Sequence, residues 1–233
     1  MTEQVAWGTI QGRPITFPME VERYHAATMG FSVPADAAAA LLPGEAFVVT
    51  EIGPGTAQLI VSLCDYRENP WGDYNEVNLG FLARPADAGP EVIGSFIYRM
   101  PVDQEFTCEA GNEVMGFPKV VTRIDAEYTE DRVTFRLWDD GVEAFTVGLP
   151  RADADGTATR IEASSYSYID GVPYATPLAI EMPSGMVGPD DVELTLGTGP
   201  IAEELRSLGL PKAPDFCTWG EDGRATFQLG RKA

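Results

Sequence analysis

Arginine supplies thirteen of the sixteen basic residues in this chain; lysine occurs only at positions 119, 212 and 232. Lys212 sits in the turn-like segment Leu210-Pro211-Lys212-Ala213-Pro214, and Lys232 lies beside the last residue. Both are places where a solvated cation is ordinary. Lys119 instead follows Val114-Met115-Gly116-Phe117-Pro118 and precedes Val121 by two residues, so apolar neighbours surround its amine. Burial disfavours the charged form of an amine, and an amine that sheds its proton is a nucleophile toward carbonyl carbon. A guanidinium stays protonated and cannot replace it. The predicted chemistry is a Schiff base between Lys119 and a carbonyl substrate. The bland alternative is a stem lying along apolar surface with its head in water. Pro118 favours an aimed side chain, through its own fixed φ and the extended bias it places on Phe117. Gly111 and Gly116 permit a tight turn nearby.

Other nucleophile and metal chemistries have little to draw on. With one histidine, His25, the chain cannot build a multi-histidine zinc centre, and a Ser-His-Asp triad would depend on that residue alone. His25 is expected to be structural. Cys64, Cys108 and Cys217 are odd in number and far apart, which fits free thiols in a reducing compartment rather than a disulfide framework or a CxxC metal site. The net charge of −20 disfavours nucleic acid and anionic membranes as partners. No apolar run approaches the roughly 20 residues of a membrane-spanning helix, and MTEQVAWGTIQG lacks the basic start and apolar stretch of a leader. These features point to a cytoplasmic protein.

The elements that must position Lys119 read mainly as short strands divided by Gly, Pro and Asp clusters. Strands are expected at 47–52, 57–64, 76–83, 93–100, 121–128, 132–138, 144–149, 159–168, 192–196 and 225–230, with a hairpin turn at Asp139-Asp140-Gly141. Two helices are expected to cover the sheet, one in 33–43 with Pro34 near its start, one over 201–208 between Pro200 and Gly209. The expected fold is α+β, predominantly antiparallel, with the strands closed into a barrel-like sheet or packed as two sheets. With 44% hydrophobic residues, residues 1–233 are read as a single domain.

The stretch Gly111-Asn112-Glu113-Val114-Met115-Gly116-Phe117-Pro118-Lys119 resembles the motif of the acetoacetate decarboxylase family, in which Lys119 falls on the Schiff-base lysine. Tyr74-Asn75-Glu76 is similar to the family's Y-x-E segment, and Asp103 falls at the expected distance before the motif. The resemblance extends over most of the chain. It implies a closed barrel, a lyase needing no metal or organic cofactor, and a homo-oligomer. It implies Glu76 as the proton shuttle, Glu113 as a residue orienting Lys119 or sharing a proton step, and Arg23 as the group facing the substrate carboxylate. Met100, Met115, Phe117 and Phe96 would line the pocket. Departures are visible: Val120 stands where many decarboxylases carry a second lysine, Asn112 replaces the motif's arginine, and Phe117 replaces a tyrosine. Three readings follow. The first is decarboxylation of acetoacetate or a related β-keto acid, and the second an aldolase–dehydratase joining pyruvate or another keto acid to an aldehyde. The third is a barrel that binds a small ligand without chemistry.

Overall fold

The computed structural model describes residues 4–154 and 156–233. Residues 1–3, where the basic start of a leader would fall, and residue 155 lie outside the described residues. In chain order the elements are β1 (Val5–Ile10), β2 (Arg13–Phe17), β3 (Met19–Pro34), α1 (Ala35–Ala39), β4 (Phe47–Val49), β5 (Glu51–Gly53), β6 (Thr56–Glu68), β7 (Tyr74–Pro85) and β8 (Gly94–Val102). Then follow α2 (Glu105–Met115), β9 (Lys119–Val121), β10 (Ile124–Tyr128), β11 (Arg132–Asp139), β12 (Val142–Pro150), β13 (Ala158–Ile169), β14 (Val172–Val187), β15 (Glu193–Leu196), α3 (Pro200–Ser207), β16 (Phe216–Phe227) and β17 (Arg231–Lys232).

The large sheet runs β7-β6-β3-β16-β14-β13-β8, and β7 also pairs β8, so the strands close into a barrel. β8 pairs β13 and β9 in parallel; its neighbours elsewhere in the ring are antiparallel. A four-stranded sheet, β10-β11-β12-β15, lies against the barrel. Strand periodicity explains the division of labour, because successive side chains point to opposite faces. On the outward face Met29, Phe31, Leu59, Leu79 and Phe81 pack with Phe135, Leu137 and Phe145 of the second sheet, making the main core. The inward face alternates Tyr24, Ala26 and Thr28 on β3 with Ser62, Cys64 and Tyr66 on β6 and Tyr74, Glu76 and Asn78 on β7, and these line a lumen. A second apolar cluster, including Ile15, Phe17, Trp71, Phe106 and Met115, closes one end of the lumen under the β1–β2 hairpin and α2.

The predominantly antiparallel barrel and the helix over Pro200–Ser207 match the expectation, and Asp140 (φ 48°) and Gly141 (φ 80°) make the turn between β11 and β12. The first expected helix shrinks to Ala35–Ala39, because β3 keeps pairing β6 as far as Pro34 opposite Thr56. The strand expected over 121–128 divides into β9 and β10.

Candidate active site

Lys119 reaches the lumen because β9 lies beside β8, where Lys119 pairs Met100. The approach to it is fixed locally. Gln104 caps α2 by accepting from the Thr107 N–H, and Gly116, at φ 66°, ends the helix in the left-handed region where glycine carries no Cβ penalty. The chain then turns through Phe117-Pro118, with the Lys119 N–H donating to the Phe117 carbonyl at 2.8 Å. Asn112 grips the same residue from the helix: its Oδ1 accepts from the Lys119 N–H at 2.8 Å and its Nδ2 donates to the Lys119 carbonyl at 3.0 Å. Gly111 leaves room for the stem, since a Cβ there would lie 2.6 Å from Lys119 Cδ.

The amine is enclosed, with Lys119 5% and Glu76 4% exposed. Nζ donates to Glu76 Oε2 at 2.6 Å and to Thr107 Oγ1 at 3.1 Å, and lies 5.0 Å from the centre of the Tyr74 ring. The other oxygen of Glu76 accepts from Tyr66 Oη at 3.3 Å and Asn78 Nδ2 at 3.1 Å. A buried carboxylate is tolerable only when paired and hydrogen-bonded in this way. Strand register builds the surround: Cys64 stands opposite Glu76, Tyr66 opposite Tyr74, and Tyr24 opposite Tyr66. The three tyrosine rings stack at 5.4 Å and 4.5 Å. Burial, then the Glu76 carboxylate, pushes the Tyr66 and Tyr74 phenols well above their ordinary range. The Cys64 thiol is pushed up by the same two causes, so the groups around the ion pair keep their protons.

The lumen is a cavity of about 570 Å³. Met100, Met115 and Phe117 line it. Phe96 does not: it points to the outward face of β8 and packs 5.6 Å from Phe47, because its parity is opposite to that of Ser95 and Ile97. Arg23 also faces away, with 45% of its side chain exposed and a 2.7 Å ion pair to Glu68, while its neighbour Tyr24 takes the inward position. Glu113 is on the exposed side of α2, so the helical turn that brings Gly111, Val114 and Met115 inward carries Glu113 outward. Asp103 lies outside the lumen and holds Asn75, accepting from its N–H and Nδ2 at 2.7 Å each, which anchors the segment carrying Glu76. Val120 is 53% exposed, pointing away from the amine. His25 packs between Tyr128 and Trp219 and accepts from the Asp222 N–H at 3.1 Å; burial lowers its pKa. The three cysteines are free, and no described helix is long and apolar enough to cross a membrane.

Thr107, Tyr66 and Asn78 were not foreseen. Thr107 comes from a helix that sequence periodicity does not announce, Tyr66 reaches the site only through cross-strand register, and Asn78 stands two residues from Glu76 on the same face of β7.

Among solved structures, the acetoacetate decarboxylase of Legionella pneumophila superposes with a TM-score of 0.70 at 15% identity, covering 93% of this chain and 87% of that one. An acetoacetate decarboxylase-like enzyme from Sphingomonas wittichii RW1 gives 0.59 at 16% identity, over 97% and 98%. The enduracididine biosynthesis enzyme MppR, complexed with the condensation product of pyruvate and imidazole 4-carboxaldehyde, gives 0.60 at 12% identity, over 100% and 97%. At these identities the likeness is one of fold. No curated protein matches the chain in sequence. The family model for acetoacetate decarboxylase (ADC) matches residues 9–214, which hold every barrel strand but β16 together with the covering sheet, and the chain therefore belongs to the acetoacetate decarboxylase family.

Proposed function

We propose that the protein is a Schiff-base-forming lyase in which Lys119 is the nucleophile and Glu76 the proton shuttle. One observation carries this reading: a lysine amine, enclosed at the end of a lumen, sits 2.6 Å from a buried carboxylate that also accepts from Tyr66 and Asn78. Transfer of one proton from Nζ to Glu76 leaves a neutral amine and a neutral acid, a charge-free pair suited to an apolar site. The amine adds to the substrate carbonyl to give a carbinolamine. Glu76 returns the proton to the departing hydroxyl, which leaves as water, and a cationic imine remains. That imine accepts the electron pair of a breaking bond one carbon away and becomes an enamine; protonation at carbon and hydrolysis release product. Thr107 and the Tyr74 ring hold the cationic forms.

Family membership supports carbon dioxide as the group lost from a β-keto acid. The second reading, an aldolase–dehydratase joining pyruvate or another keto acid to an aldehyde, is supported by the departures beside the amine, Asn112 in place of the motif's arginine and Val120 in place of a second lysine. Borohydride reduction in the presence of a carbonyl compound, with peptide mass mapping and assay of released carbon dioxide, tests both. An adduct on Lys119 is expected, and Lys119→Arg, which keeps a cation opposite Glu76 while removing the amine, is expected to fold and give none. A fully active Lys119→Arg protein would overturn the Schiff base, and a binding barrel without chemistry predicts no adduct at all.

A further inference from the structure

We propose that the substrate of this site is an uncharged, largely apolar ketone or aldehyde that enters the barrel carbonyl first. The inference rests on the Schiff-base reading alone and departs from the keto acids of the two readings above in its substrate class.

The lumen is too large and too apolar for a small keto acid. A volume of about 570 Å³ falls within the roughly 300–1,000 Å³ of pockets that hold drug-sized ligands. Ile60, Ile97, Leu178, Ile180 and Phe227 line its length. Lys119 is the one cation among the lining residues and is already paired with Glu76 at 2.6 Å, and residues 1–3 and 155 include no lysine or arginine. A carboxylate entering beside that pair would lose its hydration without gaining a counter-ion of its own, and an isolated buried anion is strongly disfavoured. The polar groups nearest the amine add to this. Asn78 gives its Nδ2 to Glu76 and leaves its buried Oδ1 without a partner. That free acceptor repels a carboxylate and suits the hydroxyl of a carbinolamine, or of a hydroxyketone. Ser62 and Thr28, further along the lumen, accommodate neutral oxygen atoms without requiring charge.

The lumen also has a direction. Trp71, Met115 and Phe117 close it at the amine end. At the other end lie Thr159 and Ile161, the latter 54% exposed, on the part of β13 that precedes its two paired residues with β8, Ser165 and Tyr166. Among the described residues that part of β13 has no β8 partner, which opens the wall there. An apolar tail therefore has a route in from the Ile161 side and a place to lie once the carbonyl reaches Lys119.

The test compares borohydride trapping of the intact chain by octanal and acetophenone with trapping by acetoacetate and pyruvate, at equal concentration and pH, with each adduct mapped to its residue. Trapping on Lys119 is expected to be at least about 10-fold faster with the uncharged compounds, after correction for their rates with a free lysine analogue. Equal or faster trapping by either acid overturns the proposal while leaving the Schiff base intact. Should no compound give an adduct, the Schiff-base reading fails, and calorimetric titration then decides the ligand class separately. Binding of acetophenone without binding of acetoacetate upholds the uncharged class; the reverse, or no binding of either, overturns it.

Discussion

Asn112, an exposed residue of α2, holds Lys119 by both backbone polar groups through its side-chain amide, at 2.8 and 3.0 Å. Two neutral hydrogen bonds at a partly wet site contribute about 1 kcal/mol net, a small share of stability. Their effect on aim is larger, since misplacing a reacting group by about 1 Å can lower a rate by about 100-fold. Asn112→Ala is therefore expected to move the unfolding midpoint little but slow Lys119 trapping by at least about 10-fold. Asn112→Asp, which retains the acceptor for the Lys119 N–H, is expected to recover part of the rate. Equal trapping by all three proteins would show that Asn112 does not position the lysine. Gly111→Ala sets two effects against each other. Alanine in the helix gains about 0.5–1 kcal/mol over glycine, but overpacking costs about 1–3 kcal/mol, and the added Cβ would lie 2.6 Å from Lys119 Cδ. Net destabilisation with slower trapping is expected in thermal unfolding and labelling; a stabilised, fully reactive variant would show that the stem moves freely. Lys119 was legible in the sequence because an arginine-rich chain placed a lysine among apolar neighbours, and Glu76 because it ends a recognisable triplet. Arg23 was misplaced by a single position: the strand shifts register between Arg23 and Tyr24, and a slip of one residue exchanges faces.

At the scale of elements, β3, β6 and β7 lay Tyr24, Tyr66 and Tyr74 side by side as one wall of the site. β3 was not legible as a strand because Arg23, His25 and Gly30 interrupt its pattern, and β14 because Pro173, Pro177 and Pro183 read as breaks. In the barrel those prolines stand in a hairpin that still pairs β13 from end to end. α2 stayed hidden because Thr107, Gly111 and Asn112 weaken its helical signal, and its stability comes from packing Phe106, Val114 and Met115 instead. The tyrosine wall makes a pH prediction. Burial pushes all three phenols above the ordinary 10.0, most of all by desolvation, with Cys64 adding to Tyr24 and Glu76 to the other two. Below that pH the phenols are protonated in both the folded and unfolded chain and stability does not respond. Above it the unfolded chain releases protons the fold retains, so stability falls as pH rises. Urea midpoints measured from about pH 8 to about pH 11 should decline, and Tyr24→Phe should make the decline shallower. An identical slope in the variant would mean that Tyr24 ionises as freely in the fold as outside it.

For the molecule as a whole, charge sets a background against which every local interaction acts. Even if each of the 16 basic residues neutralised one carboxylate, 36 − 16 = 20 acidic groups would remain unpaired. Surface pairs such as Arg23–Glu68 and Arg160–Glu181 contribute little and weaken with salt. Repulsion among the excess carboxylates also weakens with salt, but its relief favours the compact state. Raising ionic strength from about 0.01 M to about 0.15 M shortens the Debye length from roughly 30 Å to about 8 Å, which screens both effects. With twenty uncompensated charges, repulsion is the larger effect, so the urea midpoint should rise across that range of sodium chloride. A fall would mean that the arginine pairs outweigh the repulsion. The same field acts on anything approaching the open end of the barrel. An anionic compound is repelled before it meets the apolar lumen, whereas an uncharged one is not. Any residual trapping of acetoacetate should therefore accelerate with salt, while trapping of acetophenone should stay constant over the same range. A salt-independent acetoacetate rate would locate the discrimination entirely inside the lumen, in the missing counter-ion beside Lys119.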